Sequence, residues 1–131
     1  MATRSLAKRS ELGRKAESLA AIRLEEAGMR VVVRNWRRSE GELDLVALDP
    51  EGVLVFCEVR SRTGEASGDP LETVDARKRA RVIRAARLYL AEEPALSGVT
   101  GYRFDVVAVV FDEHGHPARV VHVPSAFETT T

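Results

Sequence analysis

Two runs of β-forming residues around a tight turn constrain this chain more than any other feature. Apolar residues dominate 43–48 and again 53–59, and residues 49–52 between them combine Asp, Pro and Gly, which favour turns. The sequence therefore predicts a β-hairpin centred on this turn. In that register Asp44 lies directly opposite Glu58, and the Cβ atoms of such paired residues are about 4.5–5.5 Å apart.

Two carboxylates that face each other this closely repel, and a folded chain tolerates them only with a bound cation, a shared proton or a basic neighbour. Arg60 follows Glu58 by two residues and therefore lies on the same face of its strand, opposite Glu42. This pattern indicates a divalent-metal site with a positive side chain beside it. The alternative is a surface patch of ion pairs in which Glu42 and Glu58 both bind Arg60. A register slip of one residue would separate Asp44 from Glu58 altogether.

The rest of the chain predicts a single α/β domain over residues 1–131, with a mixed β-sheet flanked by helices in the order αβββαββ. One face of the hairpin is apolar throughout and the other is apolar near the turn, so we expect both faces to be covered. Further strands are predicted at 29–36, 102–111 and 118–123. Flexible segments are predicted for a basic tail at 1–9, a loop at 61–70 and the C-terminus at 126–131.

Two long helices are predicted from caps and apolar spacing. Ser10 is expected to cap a helix that ends near Met29 and carries Glu17 on the flank of its apolar side. Asp75 is expected to cap a second helix that ends near Ala91. The buried stripe predicted for this second helix consists of Val82, Ile83, Ala86 and Leu90.

The composition of the chain excludes several classes of protein. The formal net charge is zero, so no overall field attracts nucleic acid, and any such binding must come from a local patch. The single cysteine, Cys57, excludes a disulfide framework. The N-terminus lacks the apolar core of a signal peptide, and no stretch reaches about 18 apolar residues. We therefore expect a cytoplasmic location and no membrane partner.

A local basic patch is predicted on the second helix. Six basic side chains and no acid lie between residues 77 and 87. With basic residues of the hairpin region they predict a groove that binds the phosphates of nucleic acid, while the carboxylates bind a metal. The alternative is a solvated helix face. The residues predicted to bind nucleic acid are Arg37, Arg38, Arg62, Arg77, Lys78, Arg81 and Arg84.

These motifs together resemble the PD-(D/E)xK nuclease core, which has the restriction-endonuclease-like fold. More closely, the chain resembles the bacterial YraN-like family, which is described as related to Holliday-junction resolvases. The matching landmarks span nearly the whole chain in the expected order. They are Gly13, Glu17, Arg34-Asn35, Gly41-Glu42-Leu43-Asp44, Glu58-Val59-Arg60-Ser61-Arg62, Lys78 with its helix, and Arg103-Phe104-Asp105-Val106-Val107.

The resemblance implies a metal-dependent, endonuclease-like protein that binds duplex or branched DNA and hydrolyses phosphodiesters with Mg²⁺ or Mn²⁺. It assigns Asp44 and Glu58 as metal ligands, with Glu17 and the Val59 carbonyl as further ligands. Arg60 would stabilise the negative charge that develops on the phosphate. A second copy of the chain is a candidate partner.

One departure from the family pattern leaves a second function open. Arg60 stands where the motif usually has Lys, and an arginine stays protonated, so it can donate but cannot help to activate water. Lys78 is a candidate source of an ammonium group, although its position on the helix flank does not show that it points inward. The alternative function is a nucleic-acid-binding module that keeps the nuclease fold without its chemistry.

Three residues outside these motifs receive weaker predictions. Asp105 either faces the site or pairs with an arginine. His122, in an edge-like strand, is predicted to have no convergent partner. Trp36 either stacks on a base or belongs to the core.

Overall fold

The computed structural model describes residues 2–64, 74–93 and 98–128, with side chains described from Glu11 onward. These residues form two helices and a five-stranded sheet of mixed type. In chain order the elements are α1 (Ala2–Glu26), β1 (Arg30–Arg38), β2 (Gly41–Leu48), β3 (Val53–Thr63), α2 (Ala76–Glu92), β4 (Gly101–Phe111) and β5 (Pro117–Phe127).

Helix α1 is longer at its start than the sequence predicted. It begins at Ala2 rather than after a cap at Ser10, and it ends at Glu26, just before Gly28 with a left-handed φ of +89°. The flexibility expected for residues 1–9 stays a prediction. The loop expected at 61–70 is partly strand, because β3 continues to Thr63, and residues 65–70 lie outside the described part of the chain.

The predicted hairpin register is confirmed. Strands β2 and β3 are antiparallel and pair Leu45 with Cys57 and Val46 with Phe56. The sheet order follows the chain from β1 to β5, and only the pairing of β3 with β4 is parallel. A parallel pair needs a crossover connection, and helix α2 provides it.

Helices cover both faces of the sheet, as the two apolar hairpin faces predicted. On one face, small residues of α1 such as Ala16 and Ala20 pack near Leu45 and Val55 in one buried cluster. On the other face, α2 buries its apolar side against Val46 and other residues of the second cluster. None of the helices in the described ranges is long and apolar enough to span a membrane.

The buried stripe of α2 differs from the predicted one. Its buried residues are Val82, Ala85, Ala86 and Tyr89, while Ile83 and Leu90 are only partly buried. Tyr89 turns inward because its ring packs edge-on against two aromatic residues, Trp36 and Phe56, at centroid distances of 5.5 and 5.9 Å. Trp36 itself is 6% exposed, so it belongs to the core and does not offer a stacking surface to a base.

Candidate functional site

Asp44 lies where the strand pairing is interrupted on both of its sides. The paired positions of β2 and β3 run as far as Leu45 and Cys57 and do not include Asp44. On the other side, the pairing of β1 with β2 skips Asn35, whose backbone is left-handed with a φ of 53°. The carboxylate of Asp44 accepts a hydrogen bond from the backbone N–H of Val59 at 2.9 Å. The side chain of Asp44 thus takes the place of a main-chain acceptor.

Glu58 lies next to Asp44, and we call these two residues the acidic pair. Glu58 is 3% exposed, and its carboxyl group hydrogen-bonds to that of Asp44. Its nearest cation is the Nζ atom of Lys78, 3.1 Å from Oε1, whereas Nη1 of Arg60 is 3.8 Å from the same oxygen. Lys78 therefore points inward, a direction that the sequence left open.

Both carboxyl groups of the acidic pair have raised pKa values. Burial, together with the negative charge of Asp44, raises the pKa of Glu58 to about 8, although Lys78 opposes this shift. Burial also raises the pKa of Asp44, against the hydrogen bonds from Val59 and Glu58. At neutral pH the pair therefore retains a proton and contacts an ammonium group. A retained proton and a basic neighbour are two of the three ways in which a folded chain can tolerate opposed carboxylates.

The raised pKa of Glu58 gives a testable pH dependence. Because the pKa of Glu58 is raised from 4.5 to about 8 on folding, the folded protein binds more protons than the unfolded chain between these values. The free energy of unfolding should therefore decrease as the pH rises towards 8, by at most about 1.4 kcal/mol per pH unit from this group. Urea unfolding at several pH values measures this slope, and Glu58→Gln should flatten it. An equal slope in both proteins would contradict the assignment.

The alternative ion-pair patch is present only in part, because Arg60 lies 3.8 Å from Glu58 but does not bind Glu42. Glu42 pairs with Arg37 on the neighbouring strand, with Nε and Oε2 separated by 3.3 Å, and not with Arg60. Both side chains are largely exposed, and ion pairs of this kind contribute little to stability. Glu42 thus lies outside the acidic pair, although it lines the cavity beside Asp44.

Glu17 approaches the acidic pair from α1. The side-chain amide of Asn35 donates a 2.7 Å hydrogen bond to Oε1 of Glu17. Partial burial and the nearby charge of Asp44 raise the pKa of Glu17. Glu17, Asp44 and Val59 line a cavity of about 500 Å³, which we call the acidic cavity. The sequence did not predict the hydrogen bond from Asn35 to Glu17, because the conformation of Asn35 depends on the pairing of β1 with β2. Asn35 was identified there only as a residue that matches the family pattern.

The acidic cavity offers oxygen donors but not a complete metal cage. Within the described ranges, no group of three or more His, Cys, Asp or Glu side chains is arranged to hold a metal ion. The carboxylates of Glu17 and Asp44 both reach the cavity, while Glu58 is engaged by Lys78. Oxygen donors are the ligands that Mg²⁺ prefers, and it usually keeps several waters and uses only one or two carboxylates. The residues present therefore fit an open site that water and substrate oxygens complete.

A second cavity, of about 410 Å³, lies beside α2, and we call it the basic groove. It brings together five of the seven residues predicted to bind nucleic acid, whereas Arg62 and Arg77 do not line it. Exposed Arg81 and Arg84 make no ion pair or hydrogen bond with any residue the structure describes. The five residues that line the groove are Arg37, Arg38, Lys78, Arg81 and Arg84.

The two arginines of β1 already have acidic partners. Arg37 pairs with Glu42, and Arg38 binds Glu92 with 2.9 Å between Nη2 and Oε1. The guanidinium carbon of Arg38 also lies 4.3 Å from the ring centroid of Trp36. Among the groove residues, Arg81 and Arg84 are therefore the arginines that can bind an anion without first losing an acidic partner in the described part of the chain.

A separate buried cluster surrounds Asp105, which is fully buried. Its carboxylate accepts hydrogen bonds from Nε of Arg103 at 3.0 Å and from the backbone N–H of Ser125 at 3.0 Å, and it lies 2.8 Å from Nε2 of His122. Burial alone would raise the pKa of Asp105, but these hydrogen bonds outweigh it and hold the pKa below its usual value. Asp105 thus pairs with an arginine, one of the two alternatives left open.

The prediction that His122 has no convergent partner is wrong. The pairing of β4 with β5 shifts register between Phe104 and Val106, and Ser125 there has a left-handed φ of 49°. This irregularity turns the N–H of Ser125 towards Asp105. The only sign of this buried cluster in the sequence was a single acidic residue, Asp105, within an otherwise apolar strand.

Comparison with known sequences adds the family. The sequence model of the uncharacterised protein family UPF0102 matches residues 16–109, which include Glu17, Asn35, Asp44, Glu58 and Lys78. A UPF0102 protein from Anaeromyxobacter dehalogenans is 50% identical over 92% of this chain and 86% of its own length. Similar proteins from Frankia casuarinae and Pseudomonas aeruginosa are 47% and 45% identical over 88% of this chain, and over 95% and 91% of their own lengths. The chain therefore belongs to uncharacterised protein family UPF0102, the YraN-like family that its motifs resemble.

Proposed function

We propose that this protein is an endonuclease-like enzyme that binds DNA and hydrolyses phosphodiesters with Mg²⁺ or Mn²⁺. The observation that carries this proposal is the acidic pair of half-buried Asp44 and buried Glu58 at a break in the strand pairing, beside a cavity that also receives Glu17. Burying carboxylates close together costs free energy. Such a pair therefore indicates either a compensating partner or a function. The restriction-endonuclease-like PD-(D/E)xK core and a cytoplasmic location are part of the same proposal.

The chain's own residues would divide the work between the acidic cavity and the basic groove. Asp44 and Glu17 would hold the ion, with the Val59 carbonyl and, once free of Lys78, Glu58 as further ligands. Such an ion would supply a water molecule of lowered pKa as the nucleophile for hydrolysis. Arg60 would donate hydrogen bonds to the phosphate as negative charge accumulates. The attack by water and the contact with Arg60 both need a substrate phosphate placed between the two cavities.

The basic groove supports a polyanionic substrate. The net charge of the whole chain is zero, but Arg81 and Arg84, which have no acidic partner among the described residues, place positive charge along this groove. Residues four and three apart on a helix lie on one side of it, so Arg77, Arg81 and Arg84 follow the helix axis in a row. Such a row matches successive phosphates of a strand. The chain resembles a family that is described as related to Holliday-junction resolvases. Branched DNA, including a four-way junction, is therefore the first substrate to test.

A cleavage assay tests the proposed activity. Labelled four-way junction and duplex DNA of the same sequence are incubated with the protein in Mg²⁺, Mn²⁺ or chelator. We expect metal-dependent cutting by the wild type and a loss of at least about 100-fold in rate for Asp44→Ala and for Glu58→Ala, because each removes a group near the reacting phosphate. Glu113→Ala, on the exposed β4–β5 turn, is the matched control. Cutting that survives both substitutions would overturn the site.

A second candidate function is favoured by Arg60 in place of the family's lysine. In that case the protein binds nucleic acid without cutting it, and wild type shows no cleavage in any metal. Arg60→Lys is then the discriminating variant, because a gain of cleavage would show that the fold retains the rest of the machinery. Cleavage by the wild type would exclude this second function.

Both functions predict that α2 binds DNA. Replacing Arg77, Arg81 and Arg84 with Gln should weaken duplex binding and reduce the slope of log K against log salt by about 2 to 3, since each phosphate contact contributes about 0.9. Fluorescence anisotropy in chelator over a salt series measures the slope. A control with Arg23, Arg30 and Arg119 replaced by Gln removes the same charge at exposed positions outside the acidic cavity and the basic groove. Equal slopes in both triple variants would contradict the predicted surface.

A further inference from the structure

Lys78 lies at a position of its helix where a positive charge is unfavourable. It is in the first turn of α2, and its backbone N–H donates a 2.9 Å hydrogen bond to the capping residue Asp75. The first turn of a helix carries partial positive charge and favours acids. This turn has none and instead carries the run Arg77, Lys78 and Arg79. Each of these basic residues therefore calls for a local reason.

The three residues have different surroundings. Arg79 donates to the carbonyl of Val74 at 3.0 Å and lies over the ring of Phe127. Arg77 is exposed. Only Lys78 turns towards the acidic pair, with 22% of its side chain exposed and its Nζ atom 3.1 Å from Glu58. The ammonium group of Lys78 is thus the closest counter-ion of the buried carboxyl group of Glu58.

Lys78 also belongs to the basic groove. It lines that cavity together with Arg81 and Arg84, whereas Glu58 lines neither cavity. The four-carbon stem of a lysine is flexible and carries a compact charge at its end. A rotation of this stem would move the ammonium group from Glu58 into the groove without any change in the backbone.

We propose that Lys78 is a resident counter-ion that a divalent cation must displace from Glu58, and that the released ammonium group then contacts a substrate phosphate in the basic groove. A divalent cation and an ammonium group that approach the same carboxylate repel each other, so Lys78 and the metal compete for Glu58. This inference rests on the proposed function and adds an ordered exchange of cations to it. In the metal-free protein, Lys78 holds the acidic pair together.

Competition predicts that removing the ammonium group strengthens metal binding. Mn²⁺ affinity is measured by electron paramagnetic resonance for wild type, Lys78→Met and Arg81→Met, which remove the same charge one helical turn apart. We expect Lys78→Met to bind Mn²⁺ about tenfold more tightly, since a hydrogen bond to a charged group that the metal must break is no longer present. Arg81→Met should stay within about twofold of wild type. Lys78→Gln keeps a neutral donor to Glu58, and it replaces Lys78→Met if that variant fails to fold.

The second half of the proposal is tested with DNA. Ca²⁺, an oxygen-seeking divalent cation, serves as the probe in anisotropy measurements with a short duplex made resistant to cleavage by phosphorothioate linkages. Lys78→Gln should lose more DNA affinity relative to wild type in Ca²⁺ than in chelator, because only the metal releases the ammonium group. Equal losses in both conditions would overturn the released contact.

Failure of this inference and of the proposed function give different results. Mn²⁺ binding that is equal or weaker in both Lys78 variants, with wild type still binding, overturns the competition alone. Absence of Mn²⁺ binding in every variant overturns the competition and the metal dependence together. DNA cleavage by wild type is scored separately and does not depend on which cation contacts Glu58 first.

Discussion

Asp44→Asn is expected to abolish the thermal response of the protein to Mn²⁺ and to raise the melting temperature of the metal-free protein. The amide keeps an oxygen that can accept the N–H of Val59, but it removes the charge that burial opposes at this position. We expect a stabilisation of about 1 kcal/mol, which corresponds to about 4 °C for a domain of this size. Wild type, in contrast, should be stabilised by Mn²⁺ through mass action, by about 2.7 kcal/mol at a hundredfold excess over Kd.

Melting curves of both proteins with and without millimolar Mn²⁺ measure this response. Glu113→Gln is the control, because Glu113 is exposed and lies on the β4–β5 turn, outside the acidic cavity. It should keep the full Mn²⁺ response. If the acidic residues were only a set of ion pairs, Mn²⁺ would leave the wild-type midpoint unchanged, and Asp44→Asn would be neutral or mildly destabilising. That result would contradict the metal site.

Asp105→Asn is expected to destabilise the protein more than any other substitution considered. The fully buried carboxylate binds Arg103, His122 and the N–H of Ser125, and an amide would turn an NH₂ group towards at least one of these donors. Breaking a buried charged network by changing one partner costs about 3–5 kcal/mol. We expect the melting temperature to fall by more than about 10 °C.

Urea unfolding measures the loss of stability in Asp105→Asn without reference to any activity of the acidic pair. Glu113→Gln, whose side chain is 85% exposed, should leave the midpoint within error of wild type. His122→Gln removes one of several contacts of Asp105 and should cost less than Asp105→Asn. A loss below about 1 kcal/mol for Asp105→Asn would show that the cluster is not a structural centre.

The local features of the chain were predictable because they depend on neighbouring residues. Alternating apolar residues and the turn at 49–52 fixed the register of β2 and β3, which in turn set Asp44 near Glu58. The apolar character of both hairpin faces predicted helices on both sides of the sheet. The row of arginines on α2 followed from helical periodicity alone.

Only the tertiary structure decided which groups converge. The direction of Lys78 depends on how α2 crosses between the parallel strands β3 and β4, and no local pattern encodes that placement. The left-handed backbone of Asn35 and of Ser125 arises at irregularities in the pairing of separate strands. Contacts of this kind join residues far apart in sequence, so their geometry is set by the packing of whole elements. The sequence by itself determined the acidic pair, and the fold determined its counter-ion.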